Sequence, residues 1–300
     1  MSLSRDAAVG AACALGGFVI WGLSPLYWRL LDAVPPAETV MHRIVWSAAA
    51  MLALLAARGR LGELRRALTT RRLLLALLAT TALIGCNWYL YVKAVADRRV
   101  LDASLGYFIN PLLNVALGML VLKERLRPPQ GLAVALAAAG VLLEARLHGS
   151  LPWLSLALAA TFSLYALLRK LEPVDSLVAV GAETCLLGLP CLLALAVLGA
   201  RGHGRFGPSE PGLSLLLMGS VVVTALPLAL FSEGARRLNL KTVGFLQFSS
   251  PSVKFGVAVL AFGEPLAGRL PAFGLIWAAV ALYTLDAALS RRSTERPVAA

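Results

Sequence analysis

Three ionisable side chains stand inside long apolar runs: Arg43, Glu183 and Lys254. A charge at the centre of a membrane-crossing helix costs at least ~2.5–3.5 kcal/mol on insertion scales, so each is a candidate for chemistry. Arg43, beside His42, lies about six residues into its run, roughly 9 Å deep at 1.5 Å per residue. It either faces a central cavity as a cation, snorkels outward, or pairs with an acid such as Asp97 or Asp102. Glu183 lies at a similar depth from the opposite face, too far for a direct pair with Arg43 without strong tilt. It suits a proton or a cationic group, or it stays a hydrogen-bonded neutral carboxyl. Lys254 is near the middle of its run and could meet Glu183 or an anion, or be held uncharged. Lys93 and Glu233 lie near opposite faces, each with an opposite charge four residues on, Asp97 and Arg237, and are expected to form local pairs.

A second set surrounds two prolines. Asn110-Pro111 lies in the apolar stretch Ser104–Glu124, and Ser250-Pro251 lies in Thr242–Glu264. In each stretch the proline stands 13 residues before the closing glutamate, and the two copies are 140 residues apart. Proline removes a backbone donor, so a break in the hydrogen-bond ladder is expected at each site. Freed carbonyls inside a membrane are tolerated where they line a wet cavity or meet polar neighbours. Asn110, Asn114, Gln247, Ser249, Ser250 and Ser252 supply such neighbours. Trp21, Trp88, Tyr89, Tyr107 and Tyr165, with Asn87 close by, are candidate walls of a pocket for an amphipathic molecule. Glu124 and Glu264 are expected to fix helix ends.

The elements that must carry these residues follow from composition. The chain has 300 residues, is 59% hydrophobic and only 15% charged, and has a mean hydropathy of +0.77. A soluble domain has about 25% charged residues, so this chain belongs with membrane proteins. Roughly 20 apolar residues span a bilayer, and the chain holds about ten such runs with short connections. The expectation is an all-α integral membrane protein with a lipid bilayer as its surroundings. Gly22 and Pro25 predict a kink in the first run, and Arg58–Arg72 reads as a basic loop. The net charge of +12 would suggest nucleic acid in a soluble protein; here the cations sit in loops and report topology instead. The cysteines Cys13, Cys86, Cys185 and Cys191 form no CxxC pair and read as buried structural thiols. The histidines lack metal-ligand spacing, there is no GxxxxGK[ST] motif, and no metal or cofactor is expected.

Placing the amino terminus inside puts 18 cations in loops and tails on that side and 8 on the other. Cations favour the cytoplasm, so both termini are expected there. Five spans in each half then insert with opposite orientation. The expected architecture is a 5+5 inverted repeat, residues 1–148 and 149–300, with a substrate path between the halves.

The fragments WGLSPLYW (21–28), HRIVWS (42–47), IGCNWYLY (84–91), LDASLGYFINPLLNVALGM (101–119) and VGFLQFSSP (243–251) carry a family resemblance. The chain resembles the RarD-type permeases, in the EamA group of the drug/metabolite transporter (DMT) superfamily. The resemblance implies ten helices, a bacterial inner membrane, and export or permeation of a small-molecule substrate by alternating access, with chloramphenicol-type compounds among the expected cargo and proton or solute counter-transport as coupling. Alternatives are a metabolite or amino-acid exporter with no drug role, and a non-transporting sensor or scaffold. A membrane enzyme would need Asp, His or Ser clustered at one face, and the sequence offers no such cluster. Lys93, Lys254 and Glu233 depart from the apolar or neutral residues expected at those places, so their roles are not inherited. The substrate-path candidates are Trp21, His42, Arg43, Asn87, Trp88, Tyr107, Asn110, Pro111, Glu183, Gln247, Pro251 and Lys254.

Overall fold

A computed structural model of the chain describes residues 5–123, 127–238, 246–266 and 268–294. The described residues form helices: α1 (Arg5–Arg29), α2 (Pro36–Ala57), α3 (Leu61–Thr69), α4 (Arg71–Ala96), α5 (Val100–Leu122), α6 (Pro128–His148), α7 (Trp153–Leu171), α8 (Ser176–Ala200), α9 (Pro211–Gly219), α10 (Val222–Arg237), α11 (Ser249–Gly256) and α12 (Leu270–Thr294). Lipid offers no hydrogen bonds, so these runs satisfy their backbone internally as helices. Seven of them, α1, α2 and α4 to α8, are long and apolar enough to cross a membrane. Two shorter apolar stretches, Pro211–Pro227 and Leu270–Asp286, add to them. The chain is an all-α, multi-pass membrane protein.

Helices pack where small residues let backbones approach. A Cβ at Gly17 of α1 would stand 2.7 Å from the Pro227 carbonyl of α10, and one at Gly106 of α5 would stand 2.7 Å from the Ser155 carbonyl of α7. Gly22 brings α1 against Val253 of α11, and Gly140 brings α6 against Ile276 of α12. The main pairs are α1 with α10 and α11, α7 with α4 and α5, α2 with α8, and α6 with α12.

The prolines behave differently from the sequence reading. Helix α1 runs through Pro25; the carbonyl that Pro25 leaves free belongs to Trp21, and the Ser24 hydroxyl takes it at 2.8 Å. Helix α5 runs on past Pro111, whose missing N–H leaves the ladder one bond short at the Tyr107 carbonyl. Pro251, by contrast, sits in the first turn of α11, where a missing N–H costs no helical bond. Its carbonyl accepts a hydrogen bond from Ser104 Oγ at 2.8 Å, tying α11 to α5. A π-helical turn, Val257–Ala261, then closes this span.

Three further expectations are corrected. The basic loop Arg58–Arg72 folds over Leu61–Thr69 into α3, because Leu64 and Ala67 bury against the Val178–Ala182 end of α8. The apolar run near Leu213–Ala235 is interrupted at Ser220–Val221, where the Ser220 hydroxyl takes the Leu217 carbonyl and the Thr224 hydroxyl takes that of Ser220. None of the four cysteines is fully buried: Cys86 is exposed, and Cys13, Cys185 and Cys191 are half-buried. Lys93 pairs with Asp97 at 2.8 Å and Glu233 with Arg237 at 2.5 Å, as the spacing suggests.

One end of the bundle is locked by charge. Glu264, after the π turn, is buried and accepts hydrogen bonds from Val100 N (2.6 Å) and Leu101 N (2.7 Å). It therefore fixes the start of α5, a helix of the other half of the chain, rather than the end of its own. Burial pushes its carboxyl up from the usual range, and the two amide bonds pull it back. Arg269 beside it joins Asp102 of α5 and, at 2.6 Å, Glu144 of α6. Glu124 and the tail around Pro297 lie outside the described residues.

Candidate functional site

The apolar spans leave a cavity of about 500 Å³ among them. That volume falls in the range of sites for organic ligands, roughly 300–1,000 Å³. Helix α1 contributes Phe18, Trp21 and Ser24; α2 contributes Arg43 and Ser47; α4 contributes Asn87, Trp88 and Tyr91. Tyr107 and Asn110 come from α5, Phe162, Tyr165 and Arg169 from α7, and Glu183 and Thr184 from α8. Val221 and Thr224 line it where α9 gives way to α10. Gln247 and Phe248, just before α11, join Ser250, Pro251 and Lys254 on the remaining wall.

Ten of the twelve sequence candidates are thus brought together. His42 is not among them. Successive helical residues point about 100° apart, so with Arg43 turned inward His42 turns away. Its ring lies 5.0 Å from that of Phe206, with Nε2 4.0 Å from Glu38. Pro111 is also off the wall, being one position past Asn110 on α5. Tyr89 faces outward and is 40% exposed.

Arg43 is buried with its guanidinium carbon 4.7 Å over the Trp88 ring and 5.2 Å over Trp28. Its Nε makes no hydrogen bond, and no carboxylate among the described residues pairs with it; Asp97 is taken by Lys93, and Asp102 by Arg99 and Arg269. Lys254 is 4% exposed. Its Nζ donates to Ser250 Oγ at 2.9 Å and lies 4.8 Å from the Tyr107 ring centre and 5.5 Å from that of Tyr91. Tyr91 OH in turn shares a hydrogen bond with Ser24 Oγ at 2.7 Å.

Glu183 meets neither Arg43 nor Lys254. Tyr165 OH donates to its Oε2 at 3.1 Å, and Arg169 Nε lies 4.0 Å from its Oε1. Arg169 also donates to Glu172 at 3.1 Å. Arg169 stands in the last turn of α7 and lines the cavity. Asn87 is committed to structure: its Nδ2 donates to the Leu158 carbonyl (3.0 Å) and to Thr161 Oγ1 (2.9 Å), joining α4 to α7. Asn110 Oδ1 accepts from Ser163 Oγ, again on α7. Phe18, Trp21 and Phe231 form an apolar corner, with ring centres 5.6 to 6.1 Å apart. The cavity therefore offers aromatic faces, fixed hydroxyls, three cations and one carboxylate, which is equipment for binding an organic molecule.

Comparison with known proteins agrees with this geometry. A model of the EamA-like transporter family matches residues 8–145. An uncharacterised transporter of Pseudomonas aeruginosa is 44% identical, with 96% of this chain and 97% of that protein covered. Protein RarD of Streptomyces exfoliatus is 42% identical, with 100% and 96% covered. A solved crystal structure shares the fold with a TM-score of 0.59, covering 98% of this chain and 100% of that one; at 21% identity the likeness concerns the fold alone. Near full-length identity of 42–44% to such transporters makes this chain a member of the RarD-type permeases of the EamA-like transporter family.

Proposed function

We propose that the chain is a secondary permease that exports small organic molecules across a bacterial inner membrane by alternating access. Its halves, 1–148 and 149–300, are read as inverted five-helix repeats, with the broken pair α9–α10 counted as one of about ten spans. Exchanging the halves turns the pair α1–α10 into α7–α4 and the pair α1–α11 into α7–α5, while α2–α8 and α6–α12 map onto themselves; all these pairs are packed. Residues 140 apart also share the cavity wall: Arg43 with Glu183, Tyr107 with Gln247, and Asn110 with Ser250. The observation that carries the reading is this cavity, lined by polar groups from both halves. The charge count favours both termini in the cytoplasm. Coupling is assigned to a proton on Glu183 or to solute exchange. Counterflow in the Glu183→Gln variant tests the proton, and an unchanged pH dependence would remove it.

Chloramphenicol-type cargo and metabolite cargo with no drug role are both in play. The excess of cations on the wall favours the second, since a neutral drug leaves them unanswered. The test is efflux of radiolabelled chloramphenicol, and of a metabolite panel including aromatic amino acids, from cells with the intact chain and from empty cells. Faster efflux from the former is expected. Equal rates for every compound would overturn the permease reading.

A further inference from the structure

The charges on the cavity wall are unevenly answered. At the α7–α8 end, Arg169 has Glu172 and Glu183. At the other end, Arg43 and Lys254, two basic side chains from different halves of the chain, line the same cavity. Among the described residues, the contacts around them are the faces of Trp28, Trp88, Tyr91 and Tyr107 and the Ser250 hydroxyl. Arg43 Nε is buried and unbonded, although an Arg side chain carries a planar fork suited to carboxylates. Two buried basic groups with no carboxylate paired to them among the described residues are costly as cations, and the cavity beside them is open to a ligand. The aromatic corner of Phe18, Trp21 and Phe231 offers an apolar surface within the same cavity.

We infer that the cavity binds an amphipathic organic monoanion, its carboxylate between Arg43 and Lys254 and its apolar body against the Trp21 corner. This deepens the permease reading by naming the class of cargo. It separates that class from amines, which would meet two like charges, and from neutral molecules, which would leave both cations desolvated and unpaired. Glu183 takes the Tyr165 hydroxyl on Oε2 and has Arg169 4.0 Å from Oε1, so a ligand ammonium there would meet a cation already beside it.

The test uses the purified full chain in detergent and three probes that share one body: phenylpropionate, phenylpropanol and phenylpropylamine. Thermal unfolding is followed against probe concentration at neutral pH. The acid alone should raise the midpoint, and saturably. Lys254→Met and Arg43→Gln should each raise its half-saturation concentration about tenfold, the worth of one charge-assisted hydrogen bond. Lys93→Met, exposed at the carboxyl end of α4 and paired with Asp97, should leave it unchanged. Without any probe, Lys254→Met should melt higher than the intact chain, because the stem is kept and an unanswered charge is removed. Equal stabilisation by the three probes, no response to the acid, or an acid response indifferent to both cavity variants would overturn the inference; so would a lower melting point for Lys254→Met alone. Acid binding without any efflux would instead strike the permease reading and leave this one standing.

Discussion

Replacing Gly106 by alanine should push α5 and α7 apart, and the cost can be worked from the contact. The added Cβ would lie 2.7 Å from the Ser155 carbonyl oxygen and 3.2 Å from Ser155 Cα. Both are backbone atoms of α7 and cannot swing aside. Reaching ordinary contact requires the helices to separate by about 0.7 Å, and overpacking of this kind costs about 1–3 kcal/mol. One turn before Gly106, Ser155 Oγ donates to the Asp102 carbonyl at 2.7 Å; one turn after it, Asn110 meets Ser163. A shift of about 0.7 Å stretches such bonds past their usual range. Alanine also favours a helix over glycine by about 0.8–1.0 kcal/mol, so a reference is needed. Gly274→Ala in α12 supplies it, since a Cβ there meets nothing within 4 Å. The difference between the two variants, measured by titration with a denaturing detergent, isolates the clash at about 1–3 kcal/mol. If Gly106→Ala is as stable as Gly274→Ala, the close approach of the two backbones is refuted.

Three other changes give distinct readouts. Arg269→Met should destabilise by roughly 1.5–3 kcal/mol, because it takes one charge-assisted partner from each of the buried carboxylates Asp102 and Glu144; the same titration measures it. Glu264→Gln keeps the shape but loses a charged acceptor for two amides, and amide hydrogen exchange at Val100 and Leu101 should quicken. Asn87→Leu leaves the Leu158 carbonyl and the Thr161 hydroxyl without their donor, for a loss of about 1–3 kcal/mol, which thermal melting will register.

Charge inside apolar runs proved the strongest signal for the site, because burying a cation is costly wherever it happens. Arg43, Lys254 and Glu183 were legible for that reason. His42 was not, since neighbours in sequence point about 100° apart on a helix and only one of the pair can face the cavity. Pairing was equally hidden: Arg169 looks like a loop cation until the end of α7 is seen to bend it toward Glu183. The prolines misled in opposite ways. A proline predicts a lost donor but not whether the helix has already begun, and Pro251 in a first turn loses nothing that Pro111 in mid-helix does. The break at Ser220–Val221 has no proline at all. Its signal was a pair of hydroxyls, Ser220 and Thr224, within reach of carbonyls in their own turns, and such pairs are common in unbroken helices.

The cap on α5 also bears on how the protein is made. The amides of Val100 and Leu101 are satisfied by Glu264, and Asp102 by Arg269, both encoded more than 160 residues later. A ribosome finishing the first five apolar segments therefore releases a bundle whose fourth member still has an open amino end. That bundle can enter the membrane but cannot complete itself. The last step of biogenesis is then a docking event, in which the final tenth or so of the chain closes a helix synthesised long before, and a truncation just short of Glu264 should yield inserted but protease-sensitive protein.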